Sequence, residues 1–220
     1  MHITIDKMET LRYLGYKGGT VPSDIGQMID DCIKETEKTV VPRTVFKILN
    51  ADEITLQGND IARHLQDCEQ CILIAATLGM EIDFLIRRAQ VTDMSRAIIL
   101  DACGNSAIET VCDLLEDEIR NKWAQKGMCV TGRFSPGYGD MPITQVAEFC
   151  RVLDTQRKIG LYVNESSTMI PTKSVTAVIG VSKNNLLTQK KDCNICNLYE
   201  TCAFRKEGRT CGKSGDKYGN

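Results

Sequence analysis

Histidine is almost absent from this 220-residue chain, which has only His2 and His64. Neither lies in a nucleophile motif, so a Ser/His/Asp triad is excluded. Long apolar runs are missing as well. Ile72 to Leu78 and Ala97 to Leu100 fall far short of the roughly 20 residues a membrane span needs, so no transmembrane helix is expected. The opening Met1-His2-Ile3-Thr4-Ile5-Asp6 has no basic region followed by an apolar one, and the expected location is cytoplasmic. Neither a G-x4-G-K-[ST] phosphate loop nor a G-x-G-x-x-G after the first strand occurs, which counts against P-loop and Rossmann chemistry. Aromatics make up 5%; without aromatics interleaved among basic residues, no nucleic-acid footprint is expected. With 42% hydrophobic and 25% charged residues and a formal net charge of -2, the chain reads as globular and able to bury a core.

Cysteine is the one residue type in excess, at eleven. Cys32, Cys68, Cys71, Cys103, Cys112, Cys129 and Cys150 are scattered through apolar segments, where a reduced cysteine behaves as a small hydrophobe. The Cys68-x2-Cys71 pair leads straight into an apolar strand and reads as burial without a ligand role. The other four crowd into the end of the chain as Cys193-x2-Cys196-x5-Cys202-x8-Cys211. Four thiolates on a segment with little apolar content form a cage for zinc or an iron–sulfur cluster. A single C-x2-C unit and no nearby histidine favour a four-iron four-sulfur cluster, with zinc left open. From residue 183 onward, eight Lys/Arg face four acids. Hydrophobic periodicity stops there too, so the chain divides into a body, 1–185, and a Cys-rich tail, 186–220.

Within the body, Ser23-Asp24 precede Ile25, Met28, Ile29, Cys32 and Ile33, the pattern of a capped amphipathic helix. Val41 to Leu49 and Glu53 to Leu56 read as strands, Asp60 to Leu65 as a short helix, and Cys71 to Gly79 as a central buried strand. Glu81 to Arg88 and Asp93 to Trp123 have helical spacing, the second interrupted at Gly104. Cys129 to Phe134 reads as a strand, Thr144 to Leu153 as a helix and Val175 to Val181 as a strand. Helices separate the strands irregularly, which favours α+β.

The stretch Arg133-Phe-Ser135-Pro-Gly137-Tyr138-Gly-Asp140 is a loop after a strand. It reads in two ways: as a cradle in which backbone N–H groups and the Arg133 fork hold a carboxylate or phosphate, or as a tight turn with a surface arginine. Asn164 to Val175 reads as a polar loop entering a strand.

Arg133-Phe-Ser-Pro-Gly-Tyr138, followed by Glu165-Ser-Ser-Thr-Met-Ile-Pro171 and Ser174-Val-Thr-Ala-Val-Ile-Gly180, resembles the activation domain of cobalamin-dependent methionine synthase. The order and separation of the motifs match, and so does the long helix before them. The likeness spans 1–183 and is strongest over 100–183. It implies a C-shaped α+β domain with a bent antiparallel sheet and flanking helices, here followed by the small Cys-rich tail. It also implies binding of S-adenosylmethionine and delivery of its methyl group to a cobalamin oxidised to the cob(II) state. By the same resemblance Arg133 holds the methionine carboxylate, while Ser135, Gly137 and Tyr138 line the cofactor and face the corrin, Tyr138 being the catalytic candidate. An acidic residue late in the long helix contacts the ligand, for which Asp117 or Glu118 falls nearest. Asp6 corresponds to an acidic contact near the N-terminus. The family's Cys-Pro-acid-His-Thr-Glu-Lys continuation is replaced here by Met141-Pro-Ile-Thr144-Gln145.

No homocysteine, folate or corrinoid-binding module accompanies the domain in this sequence. The expected partner is therefore a separate cobalamin-binding methionine synthase or another corrinoid protein, reactivated in trans. The tail cluster, or a further electron donor, supplies the one electron that reductive methylation needs. The alternative from another class is a non-catalytic metal-binding module that docks a corrinoid protein.

Overall fold

The structure, a computed structural model, describes residues 3–16, 21–50 and 52–183. In chain order its elements are α1 (Lys7–Tyr13), α2 (Ser23–Thr39), β1 (Arg43–Asn50), α3 (Asn59–His64), β2 (Gln70–Thr77), α4 (Met80–Thr92) and α5 (Met94–Ala124). There follow β3 (Cys129–Val130), α6 (Gln145–Leu153), α7 (Thr155–Ile159), β4 (Tyr162–Val163), β5 (Met169–Ile170) and β6 (Ser174–Ser182). Four strands form one antiparallel sheet in the order β1-β2-β6-β3, and β4 and β5 form a separate hairpin.

The long apolar run of β2 is explained by cover on both faces. Ile72 and Ile74, with Ala177, Ile179 and Val181 of β6, pack on Leu115, Ile119 and Trp123 of α5. The alternate residues Cys71, Leu73 and Ala75, with Val178, pack on Val146, Phe149 and Leu153 of α6. The register pairs Ile72 with Ile179 and Leu73 with Val178, so each face is continuous across the two central strands. A third cluster joins Ile5 and Leu11, Ile29 and Cys32 of α2, Ile82 and Ile86 of α4, and Leu100, Cys103, Ala107 and Val111 of α5. The long helix thus serves two cores, one on the sheet and one among helices. None of the helices among the described residues is long and apolar enough to cross a membrane.

Several sequence expectations need correction. Glu53 to Leu56 is not a strand: the Gln145 side chain takes up this segment's backbone groups, its Oε1 accepting from Gln57 N–H at 2.9 Å and its Nε2 donating to Thr55 O at 2.9 Å. Ser23 is the first residue of α2 rather than its cap, and no side-chain hydrogen bond caps that helix. The long helix runs unbroken through Gly104. That glycine is there for packing, since a Cβ on it would lie 3.0 Å from Lys173 Cε, where the lysine stem crosses the helix. Asn164 to Val175 is more ordered than a plain loop, because it contains the β4–β5 turn and the start of β6. The scattered cysteines are largely buried: burial pushes the thiols of Cys68 and Cys71 up to about 11 and that of Cys103 up to about 12. The tail 186–220 lies outside the described residues.

Candidate functional site

The site begins with a break in the β3–β6 ladder. Val130 pairs with Val181, and Phe134 bridges Val178, so four steps on one strand oppose three on the other. The extra residue is a bulge at Gly132–Arg133, the kind of defect that re-aims a side chain. It also explains why the strand expected over Cys129 to Phe134 ends at Val130. Thr131 closes the near side, its N–H donating to Gly180 O at 2.9 Å and its Oγ1 accepting from Gly180 N–H at 2.8 Å. Phe134 and Val178 close the far side with bonds of 2.9 and 2.8 Å.

Released from the ladder, Arg133 reaches α5. Its Nη2 donates to Asp113 Oδ1 at 2.8 Å and Glu109 Oε2 at 3.2 Å, and its Nε lies 3.3 Å from Glu116 Oε2. Residues 109, 113 and 116 recur at spacings of four and three, so they share one helical face. The Arg133 side chain is 17% exposed and its Nη1 is buried without a hydrogen-bond partner. Burial disfavours the guanidinium charge, yet Cys112 and the carboxylates of Glu116, Asp113 and Glu109 hold its pKa above the ordinary value. Glu116 is shared with Arg120, whose Nη2 donates to its Oε1 at 2.8 Å, so two guanidiniums meet three carboxylates and the site keeps one negative charge in excess.

Beyond Phe134 the chain folds into a tight loop. Tyr138 N–H donates to Ser135 O at 3.0 Å, Gly137 N–H to Met141 O at 2.9 Å and Met141 N–H to Tyr138 O at 3.0 Å. Gly137 and Gly139 take φ of 93° and 53°, which side-chain-bearing residues rarely adopt. The amides of Gly137 and Tyr138 are therefore engaged within the loop, while Arg133 Nη1 has no partner. Tyr138 projects outward, 58% exposed, with Phe134 edge-on to its ring at 6.2 Å. Ser135 is half-buried and Gly137 exposed.

Helix α3 holds this loop at both ends. At its start, Asp140 Oδ2 accepts from Asn59 N–H at 2.7 Å and Oδ1 from Asp60 N–H at 3.0 Å, while Asp60 Oδ2 accepts from Asp140 N–H at 3.2 Å. Those amide bonds hold the Asp140 carboxyl below its ordinary pKa. A Cβ on Gly139 would overlap Asp60 Oδ2. At the other end of α3, His64 Nε2 lies 2.9 Å from Gly132 O, and its ring centroid is 5.2 Å from that of Phe134. A carbonyl only accepts, so Nε2 carries the proton. Burial lowers the His64 pKa against the opposing pull of Gly132 O and Glu116.

The remaining candidates are placed as follows. Asp6 caps α1, its Oδ1 accepting from Met8 N–H at 2.7 Å, and its carbonyl accepts from Ser106 Oγ at 3.4 Å, one turn of α5 before Glu109. Asp117 and Glu118 are exposed on α5 just past Glu116, and it is Glu109, Asp113 and Glu116 that meet Arg133. Sequence reasoning passed over these three, although their i, i+4, i+7 spacing was a readable signal. Pro171 and its neighbours anchor the fold: Thr172 N–H and Oγ1 donate to Asp83 at 2.8 and 2.6 Å, and Lys173 Nζ donates to Asp101 Oδ1 and Asn105 Oδ1, each at 2.7 Å. Cys193, Cys196, Cys202 and Cys211 lie outside the described residues. Among the described residues, no group of three or more His, Cys, Asp or Glu side chains is placed to hold a metal ion.

No family profile matches the chain, and no curated protein matches it in sequence. Among solved structures it is similar to the crystal structure of the MetH reactivation domain bound to AdoHcy, with a TM-score of 0.60 and 16% identity, over 80% of this chain and 74% of that one. The bulge, the long helix and the antiparallel sheet therefore belong to a chain with the fold of the MetH reactivation domain.

Proposed function

We propose that this chain reactivates a cobalamin-dependent methyltransferase, most simply methionine synthase, acting in trans with S-adenosylmethionine as methyl donor. The overall change is cob(II)alamin plus one electron plus S-adenosylmethionine giving methylcobalamin and S-adenosylhomocysteine. The observation that carries this reading is the charge arrangement at Arg133: three α5 carboxylates surround it, of which Glu116 is shared with Arg120, leaving one negative charge in excess.

S-adenosylmethionine offers a carboxylate, an ammonium and a sulfonium, and the residues present suit all three. Arg133 has a donor, Nη1, without a partner. In this reading the ligand carboxylate displaces Glu109 and Asp113 from the guanidinium and completes a bidentate fork. Those two acids, 42% and 37% exposed, then face the ammonium and sulfonium. After methyl transfer the sulfonium charge is gone, so the acidic surroundings hold the product less strongly than the donor. Ser135 and Gly137 line the ligand, and the exposed Tyr138 meets the corrin of the partner. Asp6, at the start of α1, adds a further acid to the same side of α5. Asp117 and Glu118 contribute to the negative field beyond Glu116.

Cys193, Cys196, Cys202 and Cys211 are the donor set for an iron–sulfur cluster in this reading, with zinc the alternative; a cluster supplies the single electron when bound. The test is an anaerobic mixture of cob(II)alamin-loaded methionine synthase, chemical reductant, S-adenosylmethionine and this chain, followed by absorbance. Methylcobalamin should form only with the chain present. Equal formation without it would overturn the proposal, and a colourless, inactive protein would leave the docking-module reading in its place.

A further inference from the structure

We infer that His64 is a positioning residue for the Gly132–Tyr138 segment, acting through α3 as a splint fastened to that segment at both ends. The inference rests on the proposed role of Tyr138 at the corrin, while its structural part is read independently of that role.

The Gly132 carbonyl lies in the bulge, where it has left the ladder. Two side chains satisfy it: Thr131 Oγ1 donates at 2.9 Å and His64 Nε2 at 2.9 Å. Gly132 is exposed, so the imidazole bond matters by its position: it ties a carbonyl outside the ladder to α3 and so helps to fix where the bulge turns. The same imidazole packs against Phe134 at 5.2 Å, and Phe134 sits edge-on to Tyr138 at 6.2 Å. Three rings therefore stand in file from α3 to the exposed phenol. At the opposite end of α3, the Asp140 carboxylate on the Asn59 and Asp60 amides fixes the far side of the loop. The Arg63–Asp60 ion pair keeps Asp60 turned to the helix.

Arg133 stands apart from this arrangement. Its guanidinium has Glu109, Asp113 and Glu116 as partners on α5, so loss of His64 leaves its side chain anchored. Tyr138 is joined to His64 through the ring file. Disturbing His64 should consequently separate two quantities that a general loss of structure would move together: affinity for S-adenosylmethionine, and the rate of methylcobalamin formation.

Four proteins make the test: wild type, His64→Ala, His64→Phe, which keeps a ring without the N–H, and His64→Gln, which keeps a donor near Nε2. Two measurements are made on each. Hydrogen exchange of the Gly137, Tyr138 and Met141 amides, without ligand or partner, should be about tenfold faster in His64→Ala and His64→Phe and close to wild type in His64→Gln. Calorimetry should show S-adenosylmethionine affinity, carried mainly by Arg133, falling by no more than about threefold through Ser135 and Gly137, while methylation in trans falls about tenfold in His64→Ala and recovers to within about threefold in His64→Gln. Should His64→Ala fail to fold, the Gln and Phe pair carries the comparison. Unchanged loop exchange in Phe and Ala, or affinity and rate falling in parallel, would overturn the inference. A wild type that cannot methylate cobalamin would sink the proposed function instead, and the exchange data would still decide the role of His64.

Discussion

Two basic side chains cross from the sheet region onto the same helix, and they are built differently. Lys173 lays its stem over Gly104 and places Nζ between Asp101 Oδ1 and Asn105 Oδ1, at 2.7 Å each, with the side chain only 11% exposed. One positive charge meets one negative charge and one amide oxygen. About two turns further along α5, Arg133 meets three carboxylates, one of them shared with Arg120, has one donor without a partner, and sits on a bulge rather than on a regular strand. A balanced, closed pair is what a structural strut needs. An unbalanced, open cluster is a poor strut, because Glu109 and Asp113 share one guanidinium nitrogen and repel one another, but it suits a ligand with two positive centres and one negative.

The sharpest way to break this contrast is to remove the strut. Lys173→Ala leaves Asp101 and Asn105 without their shared donor and opens the space over Gly104. With Asp101 about half-exposed, the loss should be about 2 kcal/mol, or roughly 5 °C in Tm for a chain of this size. Thermal denaturation checks it, and S-adenosylmethionine affinity should stay within about twofold. A variant that melts like wild type but loses the ligand would exchange the roles assigned to the two cations.

A smaller effect sharpens the other side. Asp113→Asn removes one surplus charge from the Arg133 cluster while keeping the shape of the side chain. Affinity for S-adenosylmethionine should fall about threefold to fivefold, less at high salt, whereas affinity for S-adenosylhomocysteine, which keeps the ammonium but lacks the sulfonium, should fall less. Competition binding at two ionic strengths reads both.

The smallest expected effect is a pH dependence. The pKa of His64 is lower in the folded chain than the ordinary imidazole value of about 6.5. The stability this contributes is present above the unfolded value and is lost as pH falls through the folded one. Urea denaturation at pH 7 and pH 5 should therefore show a smaller loss on acidification in His64→Phe than in wild type. Equal losses would mean that burial of His64 is not coupled to folding.

Much of the frame was legible in the sequence. The continuous apolar run after Gln70 marked a strand covered on both faces, and the stripe through Val111, Leu115 and Ile119 marked the long helix. What escaped depended on tertiary partners. Glu53 to Leu56 has strand-like residues, but a glutamine 88 residues from Gln57 takes its hydrogen bonds. Gly104 resembled a break because propensity says nothing about a lysine stem arriving from residue 173. The motif around Arg133 was readable, and the bulge that turns it was not, since a bulge is a matter of register between distant strands. Glu109, Asp113 and Glu116 could have been found from their i, i+4, i+7 spacing on one face of the helix. Asp117 and Glu118, named by likeness, lie exposed on α5 directly after Glu116.

The most direct test of the Arg133 site is an anaerobic calorimetric titration of S-adenosylmethionine into wild type and Arg133→Ala. Wild type should bind, and the alanine variant should bind about tenfold to a hundredfold more weakly, the range expected for losing a charge-assisted bidentate contact worth about 1.5–3 kcal/mol. Equal affinities in the two proteins, or no binding by wild type, would contradict the account.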